Sequence, residues 1–169
     1  MSSQACFFLS IAFSFIAWWF VTSGYIWPRL RYSDQSTALR PLLVLHSFRF
    51  VGLAFLVPGV VSPALPARFA HAAAYGDIIA ASLALLSLLS QSRPWGTLVA
   101  WLFNLWGTAD LVSAFYQANS AALSPEQLGA TYFIPTLVVP LLLMTHGVMF
   151  RILLQGQREN VVRKDRVLA

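Results

Sequence analysis

An all-α bundle of five membrane-crossing helices is the fold class this sequence predicts, and three observations predict it. The 169 residues are 58% hydrophobic, with a mean hydropathy of +0.68. Only 10% are charged, against roughly a quarter in soluble domains, too few to coat a globule in water. The apolar residues gather into five runs, and a hydrocarbon core of about 30 Å needs about 20 helical residues to cross. No like-charge or Pro/Gly/Ser-rich linker interrupts them, so residues 1–169 read as a single domain.

The first run, 6–27, is uncharged and rich in Phe, Ile and Trp. It lacks the basic leader and small-residue cleavage site of a signal peptide, ending in Trp27-Pro28-Arg29, and reads as a signal anchor. Cys6 precedes the run, which argues against a lipoprotein lipobox. The second run, 39–57, is closed by Pro58-Gly59, and a proline-punctuated turn to Pro66 leads to the third, 69–90. Arg93-Pro94 breaks the chain, and Pro94 suits the first turn of the fourth run, 95–116, where its missing N–H is not needed. Ser124-Pro125-Glu126-Gln127 reads as a helix start, with Ser as N-cap, Pro following and Gln three residues on. The fifth run, 129–154, carries Pro135 and Pro140, each of which removes a backbone hydrogen bond and predicts a kink.

Nine of the eleven Lys and Arg residues fall on one side of this topology: Arg29, Arg31, Arg40, Arg93, Arg151, Arg158, Arg163, Lys164 and Arg166. Arg68 alone lies on the other side, and Arg49 lies within a span. Basic loops stay cytoplasmic, so the amino terminus faces out and the carboxyl terminus in, in a bacterial-type inner membrane. Orientation therefore accounts for the net charge of +5, and nucleic acid is excluded as a partner. Trp18, Trp19, Trp27 and Trp95 suit an interfacial aromatic belt. The single Cys excludes a disulfide framework and a multi-Cys metal site. The single Lys, Lys164, lies in the tail, so no intramembrane amine exists to form a Schiff base.

A charge in the hydrocarbon core costs about 2.5–3.5 kcal/mol on insertion scales, so such residues mark function or a specific pairing. Arg49, Asp77 and Asn104 fall near the middle of their runs, Asp110 nearer the outer side, and His46 and His146 in the cytoplasmic half. His46, Arg49 and Gly52 repeat every three residues, as do Asn104, Gly107 and Asp110, and such spacing forms a stripe on a helix. Asp77 shares a face with Ala73, Ala80, Ala81 and Ala84, small residues that permit close helix approach. Tyr132, Thr136 and His146 share a face of the fifth run, if the prolines do not rotate them apart. The expected cavity is lined by His46, Arg49, Asp77, Asn104, Asp110, Tyr132 and His146.

One Arg against two Asp leaves a carboxylate to be protonated, hydrogen-bonded or balanced by a cation. Four readings compete. In the first, the cavity binds or transports a small molecule or ion: Arg49 holds a carboxylate or anionic group, Asp77 and Asp110 exchange protons or balance a cation, and Asn104 orients. Five spans make a small bundle, so a transporter of this kind implies further copies of the chain or a partner membrane subunit. In the second, His46 and His146 ligate a b-type haem. In the third, Asp and His act as acid and base on a lipid-soluble substrate, although no nucleophile motif, HExxH or phosphate loop is present. In the fourth, an Arg–Asp pair only holds helices together. His71 reads as interfacial, and the Phe and Trp residues as lipid-facing or packing groups.

The segment Arg49-Phe-Val-Gly-Leu-Ala-Phe-Leu-Val-Pro-Gly, with Pro63, Phe69-Ala70 and Tyr75-Gly76-Asp77 after it, resembles the DoxX-like family of small bacterial membrane proteins. The resemblance covers residues 49–90. It implies a redox accessory role and favours the haem or quinone reading. The chain departs from that family in its fifth span and in having no Cys pair for thiol chemistry.

Overall fold

The computed structural model describes the backbone of residues 1–168 and the side chains of residues 1–156. It is 84% helical, with no β-strand among the described residues. Five helices are long and apolar enough to cross a membrane: α1 (Ser3–Leu30), α2 (Gln35–Leu56), α3 (Ala67–Ser90), α4 (Gly96–Ser120) and α5 (Ile134–Gly156). The side chains of Arg158, Arg163, Lys164 and Arg166 lie outside the described residues.

Several boundaries differ from the sequence expectation, α4 running on to Ser120 rather than 116 among them, and three differ for a clear local reason. First, α1 does not stop at Trp27. A wide π-turn over Thr22–Ile26 closes with the Trp27 N–H on the Thr22 carbonyl, directly before Pro28. A proline ring strikes the carbonyl four residues back, here that of Gly24, and widening the turn moves that carbonyl aside. The same device recurs in α5. The π-turn Ile134–Val138 closes with the Val139 N–H on the Ile134 carbonyl, just before Pro140, and the α-helix then runs Val139–Leu168.

Second, α2 starts at Gln35, not at 39. Asp34 caps it, accepting from the Thr37 backbone N–H at 3.0 Å and from the Ser36 hydroxyl at 2.7 Å. Those donors, the Thr37 N–H foremost, hold the Asp34 carboxyl down at about 2.

Third, α5 starts at Ile134, not at 129. Ser124 and Gln127 form the expected capping box, but the segment it opens is a 3-10 turn, Pro125–Tyr132, broken at Gly129 (φ 53°, ψ −132°). Only glycine adopts that backbone readily. The Ala130 N–H beside it donates to the Val60 carbonyl at 2.8 Å, and Gln127 Nε2 to the Ala64 carbonyl at 2.9 Å. The turn after α4 is thus stitched to the turn after α2 at one end of the bundle.

The helices pack through small residues. On α3 the buried stripe is Ala70, Ala73, Ala74, Asp77, Ala80, Ala81 and Ala84, which lets α2 and α4 approach closely on either side. α1 is the outlier. No residue of Ser3–Val21 is buried, and Phe8, Phe13, Ile16, Trp19 and Phe20 are exposed. Two apolar clusters fill the interior. One joins Leu39, Leu42, Leu43, Phe103, Met149 and Leu153; the other joins Phe55, Phe69, Leu111, Leu128, Ile134 and Leu142. The residues that intervene along each helix, at 46–49, 77, 104–110 and 145–146, form a polar layer between the two.

Candidate ligand site: a buried Arg–Asp–Asp cluster and its cleft

The layer is assembled by a change of helix type in α2. The α-helix Gln35–Ser47 gives way to a 3-10 helix over Phe48–Leu56. Runs of more than three or four 3-10 residues are uncommon, and residues three apart eclipse one another along them. His46, Arg49, Gly52 and Phe55 therefore stand in one straight row, and all four are buried. In a regular α-helix that row would wind away from the neighbouring helices.

Arg49 is 2% exposed, and each of its nitrogens has a partner. Nε donates to Asp77 Oδ1 at 2.7 Å, Nη1 to the Gly107 carbonyl at 3.1 Å, and Nη2 to Asp110 Oδ2 at 2.5 Å. Nη2 also lies 2.7 Å from Asp77 Oδ1. One guanidinium thus ties α2 to α3 and to α4, against two carboxylates whose side chains are only 11% and 16% exposed. Removing one partner of such a buried pair costs about 3–5 kcal/mol.

Three glycines make the room. A Cβ on Gly52 would strike the Asp77 side chain, and one on Gly76 would strike that of Asp110. One on Gly107 would come within 2.6 Å of the His146 ring and 3.0 Å of Arg49 Nη1. Gly52 and Gly107 belong to the stripes read from the sequence. Gly76 does not, and its neighbour Asp77 is the only local signal.

The other half of the layer holds the imidazoles. Asn104 Nδ2 donates to the His146 carbonyl at 3.4 Å, so its Oδ1 faces His146 Nδ1 at 2.7 Å and that nitrogen carries the proton. The Thr145 hydroxyl donates to the Leu141 and Leu142 carbonyls, so it accepts from His46 Nε2 at 3.0 Å. His46 Nδ1 and His146 Nε2 are left buried with no partner among the described residues. The two rings lie against each other with centroids 4.2 Å apart, and Phe103 packs on both.

A metal between two imidazoles stands about 2 Å from each ligating nitrogen, so the ring centres must be well over 4 Å apart, with a porphyrin plane free between them. His46 and His146 are in contact instead, and one nitrogen of each is bonded to Thr145 or Asn104. The pair does not fit a bis-His haem. Among the described residues, no three His, Cys, Asp or Glu groups converge as metal ligands.

Six of the seven residues expected to line one cavity therefore meet in this layer. Tyr132 does not. Its hydroxyl lies 3.3 Å from that of Ser10, and its ring packs on Phe7 of α1. Tyr132 closes a 3-10 turn, and the π-turn Ile134–Val138 lies between it and His146, so the regular α-helical spacing that would align the two does not hold.

On one side the cluster is the floor of a cleft. Asp77 and Asp110 line it together with Phe7, Phe55, Phe69, Leu111, Phe115 and Leu128, and the cavity volume is about 80 Å³. A water needs about 10–15 Å³ by this measure, so the cleft admits several waters or a slim group. Arg49 is not among the lining residues. Each of its nitrogens is bonded within the cluster, so of the two groups expected of it, a carboxylate or an anionic ligand, Arg49 holds carboxylates, and the face of the cluster on the cleft is carboxylate.

Fold and site together define a class: a five-helix all-α bundle whose polar middle is organised by one arginine shared between two aspartates at the base of an apolar cleft. Within that class, the chain belongs to the family described as a domain of unknown function (DUF8737), whose model matches residues 6–154 and so takes in the whole cluster. No curated protein and no solved structure matches the chain.

Proposed function

We propose that the protein is a multi-pass protein of a bacterial-type inner membrane, amino terminus outside and carboxyl terminus inside, that binds or transports a small molecule or ion in the cleft floored by Asp77 and Asp110. The membrane reading is supported by the length and apolarity of the five helices and by the large apolar side chains exposed along α1. The orientation rests on the distribution of basic residues. Arg151 packs over the Trp27 ring at 4.8 Å, and Gln35 reaches Thr97 at 3.3 Å, so the segments bearing Arg29, Arg31, Arg40, Arg93 and Arg151 gather at one end.

The observation that carries the binding reading is the charge count at the cleft floor. A single guanidinium faces two carboxylates, and one negative charge is left over beside an otherwise apolar cavity. An unbalanced ionisable group of this kind is costly unless it holds a proton or a partner. A second reading has an observation of its own: every Arg49 nitrogen is hydrogen-bonded inside the cluster, as a pure helix lock requires.

Native mass spectrometry of the wild type and of Asp110→Asn, released from mild detergent, separates them. The amide keeps an oxygen acceptor for Arg49 Nη2 and cancels the excess charge. A discrete mass on the wild type that is absent from a folded Asp110→Asn supports the binding site. Wild type without added mass, together with a less stable Asp110→Asn, supports the lock.

A further inference from the structure

We infer that the ligand of the cleft is an amphipathic organic monocation, an ammonium group carrying an apolar tail, seated with its nitrogen against Asp77 and Asp110. This rests on the reading of the cleft as a binding site, and it names the chemical class.

Three observations converge on it. The charge available to a ligand is negative, because Arg49 does not line the cleft, each of its nitrogens is bonded in the cluster, and with both aspartates ionised one carboxylate is left uncompensated. Asp77 Oδ1 and Asp110 Oδ2 take Arg49, while Asp77 Oδ2 and Asp110 Oδ1 lie against Gly52 and Gly76, and both carboxylates border the cleft from those seats. An anion is therefore repelled at the floor, and a neutral polar molecule leaves the charge unbalanced.

The walls select between cations. A bare inorganic ion needs a shell of oxygens, six to eight for calcium and near-octahedral for magnesium. Among the described residues Asp77 and Asp110 are the only carboxylates lining the cleft, and the remaining wall is Phe, Leu, Ala, Pro, Val and Ile. An organic ammonium needs far fewer acceptors, and its tail is solvated by such a wall.

Aromatic rings supply the third observation. Phe55 and Phe69 meet edge to face at 5.7 Å, and both line the cleft with Phe7 and Phe115. Ring faces attract cations, most strongly where water is excluded. The result is a floor that holds charge and walls that hold hydrocarbon, which matches the two ends of one molecule.

The test is a calorimetric titration of the full chain in nanodiscs of zwitterionic lipid with three probes of equal tail: hexylammonium, hexanol and hexanoate. Titration of protein-free nanodiscs of the same lipid corrects for partition into lipid. The expected result is saturable hexylammonium binding at least about tenfold tighter than hexanol, no hexanoate binding, and loss of the hexylammonium signal in Asp110→Asn. Equal binding of hexanol and hexylammonium, or tighter binding of hexanoate, overturns the monocation while leaving a binding cleft in place. No saturable binding of any probe overturns the cleft reading as well. Should Asp110→Asn fail to elute as a folded species, Ala114→Phe, which fills the cleft above the cluster, serves instead. It blocks hexylammonium if the cleft is the site, and leaves the titration unchanged if the site lies elsewhere.

Discussion

The two halves of the polar layer are buried between the same two apolar clusters and behave differently. On the imidazole side, His46, Asn104, Thr145 and His146 are 0–1% exposed, stacked on Phe103 and closed by packing. On the acidic side, Asp77 and Asp110 share Arg49 and still keep a face on a cleft. Burial of a polar group thus separates into two cases. A sealed, neutral group specifies how helices dock, even with one nitrogen of each imidazole left unpartnered, and a group in charge excess beside open space is arranged to meet something else. Position along the helix does not distinguish the cases, because both lie between the same two apolar clusters.

The comparison breaks most directly at Arg49, which touches both sides. Arg49→Gln leaves two carboxylates without their cation and is expected to destabilise the bundle by about 3–5 kcal/mol, read as a loss of thermal stability in detergent. If its melting temperature matches the wild type, the cluster does not organise the middle of the bundle. Gly107→Ala is expected to cost about 1–3 kcal/mol by overpacking, because the new methyl meets the His146 ring and Arg49 Nη1 together.

Gly76→Ala sharpens the contrast. It displaces Asp110 alone, so it should weaken ligand binding more than it disturbs the imidazole stack, which double-variant stability cycles with His46→Phe would register. His46→Phe removes one buried hydrogen bond, to Thr145, and is expected to cost about 1 kcal/mol without changing hexylammonium binding. Asp110→Asn should shift stability by less than about 1 kcal/mol or raise it, since charge balance is gained as one charge-assisted bond is weakened.

The smallest effect lies outside the layer. The folded-state carboxyl of Asp34 is depressed to about 2 from an ordinary 3.8. Its capping contribution is therefore complete above about pH 4 and lost as pH falls toward 2. Asp34→Ala should flatten that part of the stability profile in an acid titration of melting temperature.

Much of this was legible in the sequence, and the failures have physical causes. Apolar length marked five helices, because covering about 30 Å is a crude requirement that composition can meet or miss. Boundaries were less legible. Asp34 was overlooked as a cap, and Pro28 was read as a stop although a π-turn carries the helix through it. The three-residue spacing of His46, Arg49 and Gly52 pointed to a shared face, but α-helix and 3-10 helix carry the same apolar pattern. The straight row that the 3-10 segment creates could not be told from a winding one. The position of Tyr132 was not legible because a helical wheel assumes regular α-helix, and a 3-10 turn and a π-turn meet there. The cleft itself was invisible: Phe7, Phe55, Phe69 and Phe115 come from four different helices and looked like packing or lipid-facing residues, as most phenylalanines in such chains are. Thr145, which fixes the tautomer of His46, carried no signal beyond being next to His146.

The most direct test of the account sets the two halves of the layer against each other in one experiment: calorimetric titration of hexylammonium into nanodiscs bearing the wild type, Asp110→Asn or His146→Phe. The account predicts binding to the wild type and to His146→Phe, and none to Asp110→Asn. Loss of binding in His146→Phe with retention in Asp110→Asn would contradict it, placing the ligand on the imidazole side and leaving the two aspartates as a lock.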